Sequence, residues 1–153
     1  MIMSLKRYRD KRDFSKTPEP KGEIAVTDKK RGIYVIQEHH ATHLHWDLRL
    51  EMGSVLRSWA VPKEPLLEAG VRRLAVPVED HPIDYATFEG TISEGQYGAG
   101  KVIIWDKGTY EPVSISEGKI VFNVFGERLK GEYCLIRTKF QGKDSWLFFK
   151  TKK

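Results

Sequence analysis

Cysteine is nearly absent from this 153-residue chain, in which Cys134 is the only one. A single thiol excludes an intramolecular disulfide framework and a multi-cysteine zinc module, and it is typical of proteins from a reducing compartment. Long apolar runs are also lacking, since the densest, residues 102–105, is far shorter than the roughly 18 residues that a membrane span needs. The first 20 residues are charged and contain no apolar signal segment. We therefore expect a cytoplasmic protein with no membrane partner.

The positive charge of the chain is concentrated near its N-terminus. Residues 1–31 contain ten basic and five acidic side chains and so account for the whole formal charge of +5, whereas residues 32–153 are balanced. Two interpretations remain open: a solvated polar arm, or an arm that lies along a phosphate backbone and releases counterions as it binds. In either case the sequence divides into a basic N-terminal arm, residues 1–31, and a β-rich domain, residues 32–153.

Short β-rich runs, separated mostly by glycine, proline or charged clusters, make up the chain after residue 32. They span residues 33–37, 44–51, 55–61, 74–78, 85–92, 101–105, 108–111, 119–124, 131–138 and 146–151. No helical stretch is long enough for a βαβ unit, so this spacing favours an antiparallel sandwich or barrel. We predict an all-β barrel with a short helix before it, over residues 5–14, which Pro18 and Pro20 would end.

The run at residues 44–51 alternates without a fault between apolar and polar side chains. In a strand, alternate side chains point to opposite faces, so His45, Asp47 and Arg49 share the polar face. Histidine and aspartate are good ligands for a divalent metal, and the guanidinium fork of arginine binds phosphate oxygens. The alternative is an ordinary polar face that meets water.

Four of the five histidines lie within residues 39–45, just before and at the start of this run. A short connection could bring His39 beside His45 and Asp47, which would complete a site of two histidines and one carboxylate. His40 or His43 could replace His39 on spacing alone, and a solvated polar cluster is the remaining interpretation.

The fifth histidine, His81, precedes Pro82 in a segment that by itself favours a turn. If this segment folds over the proposed metal site, His81 could stabilise developing charge or protonate a leaving group, and Tyr85 could hydrogen-bond a phosphoryl oxygen.

Four glycines, at positions 90, 95, 98 and 100, mark a different kind of segment. No helix follows them, so they form neither a P-loop nor a dinucleotide-binding turn. We expect a loop with positive φ angles at the rim of a cleft.

Lys63 and Arg73 are further candidate phosphate contacts, although sequence composition does not distinguish them from ordinary surface charges.

Nine sequence blocks, spread over most of the chain, match one known family. They are Arg12-Asp13-Phe14, Thr17-Pro18-Glu19-Pro20, Tyr34-Val35-Ile36-Gln37-x-His39, Leu44-His45-x-Asp47-x-Arg49-Leu50-Glu51, Trp59-Ala60-Val61-Pro62-Lys63, Glu79-Asp80-His81-Pro82-x-Asp84-Tyr85, Phe88-Glu89-Gly90-x-Ile92, Gly98-x-Gly100-x-Val102 and Trp105-Asp106-x-Gly108. Together they resemble the 3′-phosphoesterase domain of bacterial DNA ligase D, over about residues 8 to 151.

The resemblance implies a closed or nearly closed antiparallel barrel of about eight strands and a metal-dependent enzyme. In that family the enzyme removes a 3′-terminal ribonucleoside from a DNA or RNA primer end and then converts the remaining 3′-phosphate to a 3′-OH. Manganese is the favoured cofactor, with other divalent metals as alternatives. The partner would be a DNA primer–template in DNA repair by end joining, and whether separate ligase or polymerase proteins also bind is left open.

Site residues also follow from the resemblance. His39, His45 and Asp47 would bind the metal, and Arg49 and His81 would engage the scissile phosphate. The surrounding residues would be Tyr85, Lys63, Arg73, Gln37 and Glu79, and an N-terminal arm carrying Arg12, Asp13 and Glu19 would fold back on the site.

Two rival functions remain. A β-barrel with two histidines and a carboxylate also describes non-haem iron oxygenases, although the basic residues beside this site favour an anionic substrate. A basic arm on a barrel also fits a nucleic-acid-binding module without catalysis. The attacking nucleophile and the balance between diesterase and monoesterase activity do not follow from the sequence.

Overall fold

The computed structural model describes residues 5–20 and 31–152. Its elements, in chain order, are helix α1 (Lys6–Asp10), strands β1 (Gly32–His40), β2 (Leu44–Met52), β3 (Val55–Val61) and β4 (Arg73–Pro82), a 3₁₀ helix (Ile83–Thr87), and strands β5 (Gly90–Ile92), β6 (Gly100–Ile115), β7 (Lys119–Gly126), β8 (Lys130–Phe140) and β9 (Lys143–Lys150). Neither helix of the described segments has the length and apolarity needed to cross a membrane.

Eight of the strands form a closed antiparallel barrel. Their order is β1-β2-β3-β4-β9-β8-β7-β6, and β6 pairs back onto β1. Strand β5 lies outside this circle and pairs with the first residues of β6. The predicted all-β barrel of about eight strands with a short N-terminal helix is therefore confirmed.

The barrel interior is filled by the apolar face of each strand. In β2, Leu48 and Leu50 point inward with no exposed surface, and the aromatic rings of Trp59, Phe122 and Phe148 pack in the same cluster. The polar face of β2 points out of the barrel, as the alternation predicted. That face is nevertheless buried, because a second layer covers it.

This covering layer consists of the described part of the arm and the 3₁₀ helix. Tyr8 from α1 has no exposed surface and lies with Val35, Leu56 and Tyr85 in a second apolar cluster outside the barrel. The Tyr8 hydroxyl also donates a hydrogen bond to the Pro20 carbonyl, which closes the arm on itself. The division into an arm of residues 1–31 and a domain of residues 32–153 stays a prediction, because residues 21–30 lie outside the described residues.

Three sequence-predicted elements differ from the structure. The helix occupies only Lys6–Asp10 rather than most of residues 5–14. The run at 85–92, predicted as one strand, is a 3₁₀ turn followed by the short β5, because its apolar side chains pack against the covering layer instead of the sheet. The runs at 101–105 and 108–111 are one strand, since Gly108 is not a turn but a point where β7 approaches too closely for a side chain.

Candidate active site

Pairing between β1 and β2 places the proposed ligands together. His39 lies opposite His45, and Gln37 lies opposite Asp47, so these side chains share the outer face of the sheet. His39 Nδ1 is 3.5 Å from Asp47 Oδ2, and His45 Nε2 is 3.2 Å from Asp47 Oδ1. One ligand atom from each of the three residues lies within 4.8 Å of the others.

The other two histidines of this segment do not join the group. His40 is half exposed and lies 2.6 Å from a carboxylate oxygen of Glu38. His43 lies in the turn between the strands and contributes its backbone carbonyl to His45. Among the three candidates left open by spacing, the strand register therefore brings His39 to the site.

Backbone carbonyls determine which ring nitrogens carry protons. His39 Nε2 lies 2.6 Å from the Gly98 carbonyl, and His45 Nδ1 lies 3.0 Å from the His43 carbonyl. Because a carbonyl only accepts, these nitrogens donate, and His39 Nδ1 and His45 Nε2 face the Asp47 carboxylate. Each of these two atoms donates a hydrogen bond to Asp47 when it carries a proton, and offers a lone pair to a metal when it does not. Two imidazoles and a carboxylate with converging lone pairs are a donor set that fits a divalent metal ion such as manganese, iron or zinc.

The electrostatics of Asp47 and His45 agree with this arrangement. Burial alone would raise the pKa of Asp47, but the Arg49 charge and hydrogen bonds from His39 and His45 bring that pKa far below its usual range. Burial alone would lower the pKa of His45, yet the hydrogen bond and charge of Asp47 raise it. The negative charge of Asp47 therefore favours a cation at this place, whether a proton on His45 or a bound metal.

Arg49 is held rigidly beside this group. Its Nε donates to Gln37 Oε1 at 2.6 Å, one terminal nitrogen donates to Ser58 Oγ at 2.9 Å, and the other lies 3.4 Å from Asp47 Oδ2. Gln37 is fixed in turn by donating to the Tyr85 carbonyl. The guanidinium is thus buried, charged and oriented before any substrate arrives.

A bulge in β4 brings His81 to the same face. Ser58 of β3 pairs with Val78, and Leu56 pairs with His81, so two residues of β4 oppose one residue of β3. In a regular strand Val78 and His81, three residues apart, would point to opposite faces. His81 Nδ1 lies 2.9 Å from the Glu79 carbonyl, which leaves the Nε2 lone pair facing the cavity side.

The surroundings of His81 favour its neutral form. Burial lowers its pKa far below the ordinary value, and the charges of Arg49 and Arg12 lower it further. An Arg12 terminal nitrogen lies 3.4 Å from His81 Nε2, in the position of a donor. The imidazole thus presents an acceptor, and an anion placed beside it would favour its protonation.

The arm reaches the site through Arg12. This guanidinium has only 5% of its side chain exposed and contacts two carboxylates, with Nε 3.0 Å from Glu19 Oε2 and a terminal nitrogen 3.3 Å from Glu79 Oε1. The buried Tyr85 hydroxyl donates to Glu19 at 2.7 Å. Lys11 adds a second ion pair to Glu79 at 3.2 Å. The part of the predicted arm that the structure describes therefore folds onto the site.

Three of the sequence-predicted residues lie elsewhere. Lys63 is exposed in the segment after β3, and Arg73 Nε donates to the Glu64 carbonyl. Asp13 is exposed and accepts hydrogen bonds from Ser15. Within residues 5–20 and 31–152, none of the three lines the cavity described below. Substrate contact by Lys63 and Arg73 and the supporting role of Asp13 stay predictions.

One cavity of about 300 Å³ joins these groups. Its walls include Arg12, His39, His45, Asp47, Arg49, His81 and Tyr85, together with Tyr97 and Gly98 from the glycine-rich loop. Sequence reasoning expected that loop at a cleft rim but did not single out Tyr97. It also missed Ser58, although the two-residue turn between Met52 and Val55 sets a register in which Ser58 lies opposite Arg49.

The fold and the cavity together define a class of protein: a β-barrel in which three side chains that could hold a metal ion and two buried arginines line one cavity. Residues 37–137 match the DNA Ligase D 3′-phosphoesterase domain. The chain belongs to this family, which confirms the resemblance found in the sequence and indicates a hydrolase of the phosphoesterase type.

Relatives of the chain are known from several bacteria. The chain is 48% identical over 155 residues to the multifunctional non-homologous end joining protein LigD of Pseudomonas aeruginosa, covering 97% of this chain and 18% of that protein. It is 49% identical over 152 residues to the multifunctional non-homologous end joining DNA repair protein LigD of Mycobacterium tuberculosis, with 97% and 20% covered. The corresponding LigD of Mycolicibacterium smegmatis is 45% identical over 159 residues, with the same coverage. The chain thus spans about a fifth of the length of these relatives.

Proposed function

We propose that this protein is a metal-dependent phosphoesterase that repairs the 3′ ends of DNA primer strands. It would remove a 3′-terminal ribonucleoside and then the 3′-phosphate that remains. One observation carries the proposal: the ligand group of His39, His45 and Asp47 lies in the same cavity as Arg12, Arg49 and His81. Family membership supports the same reaction class.

His39, His45 and Asp47 would hold the metal, which we propose is manganese. A divalent cation bound there would polarise a phosphoryl oxygen and offset the charge that accumulates in the transition state. The hydrogen bonds from His39 to the Gly98 carbonyl and from His45 to the His43 carbonyl keep both rings turned toward this position.

Arg49 and Arg12 would bind the remaining phosphate oxygens. Phosphoryl transfer depends mainly on positioning and charge stabilisation, and both guanidinium groups are already oriented by buried partners. Because their positions are fixed before binding, little reorganisation accompanies the reaction. The buried Tyr85 hydroxyl, which donates to Glu19, would hold the arm and hence Arg12 in this arrangement.

His81 would act on the leaving oxygen. In the first reaction water adds to phosphorus, the bond to O5′ of the terminal ribonucleoside breaks, and O5′ takes a proton. In the second reaction water adds to phosphorus, the bond between phosphorus and O3′ breaks, inorganic phosphate leaves, and O3′ takes a proton to become the new hydroxyl. A phosphate beside His81 Nε2 opposes the effect of Arg12 and Arg49 on its pKa, so substrate binding would load the proton that the leaving oxygen needs.

A primer–template whose primer ends in ribonucleotides tests this function. A 5′-labelled DNA primer ending in two ribonucleotides is annealed to a template and incubated with the pure protein, with manganese or with EDTA. We expect a strand one nucleoside shorter that carries a 3′-phosphate, followed by the 3′-OH form, only when manganese is present. His39→Ala should abolish both steps, and the matched control His40→Ala should retain them, because His40 lies outside the ligand group.

Two outcomes would contradict the proposal. No product from protein that binds manganese, together with metal-independent binding to DNA that weakens with salt, would favour a binding module. Oxygen consumption with iron, without phosphate release, would favour an oxygenase.

A further inference from the structure

The loop between β5 and β6 places an aromatic ring at the mouth of the cavity. Tyr97 lies in this loop and is 49% exposed, yet it forms part of the cavity wall. Gly95 and Gly98 have φ angles of +86° and +74°, a region that favours glycine, so the loop conformation depends on them. The proposed reaction does not use this ring.

Tyr97 is tied closely to the proposed metal site. The carbonyl of the next residue, Gly98, accepts the 2.6 Å hydrogen bond from His39 Nε2. A side chain on Gly98 would lie 3.3 Å from the His39 ring, which shows how closely the loop backbone approaches that ligand. The ring of Tyr97 is therefore held one residue from the group that orients a metal ligand.

Cations of the arm surround the same ring. Lys11 Nζ is 4.7 Å from the ring centroid and 3.4 Å from the hydroxyl, and the Arg12 guanidinium is 5.4 Å from the centroid. An exposed ring beside cations that can follow a phosphate backbone is the combination with which proteins hold single-stranded nucleic acid. Stacking tolerates any base, because every base has an aromatic face.

We propose that Tyr97 is a stacking platform for a nucleobase next to the scissile phosphate, and that it makes this protein selective for ends that carry bases. This inference rests on the proposed function and names the part of the substrate that the loop recognises. The alternative explanation is that Tyr97 is only a clamp, a ring that holds Lys11 and Arg12 of the arm in place. The two explanations differ in one respect: a clamp acts on every substrate, whereas a stacking platform acts only where a base is present.

Matched ends with and without bases separate the two explanations. One primer carries ordinary bases on its last two ribonucleotides, and the other has abasic ribose at both positions. Tyr97→Ala should lower kcat/KM on the base-bearing end by about 5- to 150-fold, the range expected for loss of one stacked base. On the abasic end, the variant and the wild type should be equal. Tyr97→Phe, which keeps the ring, should behave as wild type on both.

Equal losses on both ends would overturn the proposal in favour of the clamp, and no loss on either end would overturn it without supporting the clamp. Phe140→Ala is the control for removing an exposed ring, because Phe140 is 51% exposed and does not line the cavity. It should match wild type on both ends.

A binding measurement keeps this inference separate from the proposed function. Primers with 2-aminopurine at the last or the last-but-one position are bound in EDTA, and base fluorescence is recorded. We expect one of the two positions to be quenched by wild type and Tyr97→Phe but not by Tyr97→Ala. Quenching in an inactive protein would refute the proposed catalysis and support stacking, whereas cleavage without Tyr97-dependent quenching would overturn the stacking alone.

Discussion

Replacing Asp47 with asparagine should destabilise the metal-free protein. The Arg49 side chain is 3% exposed and its charge lies 3.4 Å from the Asp47 carboxylate, so the substitution leaves a buried cation without its counter-ion. Removing one partner of such a pair costs about 3–5 kcal/mol. The asparagine oxygen can still accept a neutral hydrogen bond, and this bond offsets part of the cost. We therefore expect a net loss of about 2–3 kcal/mol in the free energy of unfolding.

Manganese should widen the difference in unfolding free energy between wild type and Asp47→Asn. At 100 times its dissociation constant a ligand stabilises the native state by about 2.7 kcal/mol, and only the wild type would gain this amount. The gap between wild type and Asp47→Asn would then reach about 5 kcal/mol. Urea unfolding is followed by tryptophan fluorescence, once in EDTA and once in manganese. The first measurement gives the loss caused by the substitution, and the second gives the stabilisation by the metal.

The control for this experiment is Asp144→Asn. Asp144 is an exposed carboxylate 2.9 Å from Arg137, and water screens that pair, so its unfolding free energy should stay close to the wild-type value. Equal stability of Asp47→Asn and wild type in EDTA, with an equal gain from manganese, would refute the role of Asp47 as counter-ion and metal ligand.

Three further substitutions test separate parts of the account. Gly98→Ala, at a φ of +74° and 3.3 Å from the His39 ring, should weaken manganese binding about 10-fold or more in calorimetric titration. His81→Ala should bind manganese as wild type does but slow single-turnover cleavage roughly 100-fold or more. Tyr34→Phe removes the 2.7 Å hydrogen bond to buried Asp106 and should cost about 2 kcal/mol in urea unfolding. Because burial raises the pKa of Tyr34, this contribution should persist below pH 10 and disappear only in strong alkali.

Local patterns predicted the parts of the site that lie on one strand. The alternation in residues 44–51 identified His45, Asp47 and Arg49 as neighbours on one face, since strand geometry alone decides that. It did not choose between His39, His40 and His43, because the choice depends on the register between β1 and β2. A change of one residue in that register would reverse the faces.

The other parts of the site depend on features that cannot be seen in any local sequence pattern. The β4 bulge that turns His81 toward the site adds one residue to a strand, and the sequence around it favours a turn instead. From charge alone, the arm could be either solvated or bound along a phosphate backbone, and only the family resemblance implied that it folds back on the site. The described part of the arm is held by burial of Tyr8 and by the Arg12–Glu79 pair, which are contacts with residues distant in the chain.

The most direct test of the central claim follows metal binding and chemistry in the same samples. Manganese is titrated into metal-free protein, bound metal is measured by electron paramagnetic resonance, and formation of the 3′-phosphate from a ribonucleotide-ended primer is measured in parallel. We predict that product formation rises in proportion to occupancy of a single manganese site and that His45→Ala loses both. Product formed in EDTA, or a filled site that yields no product, would contradict the account.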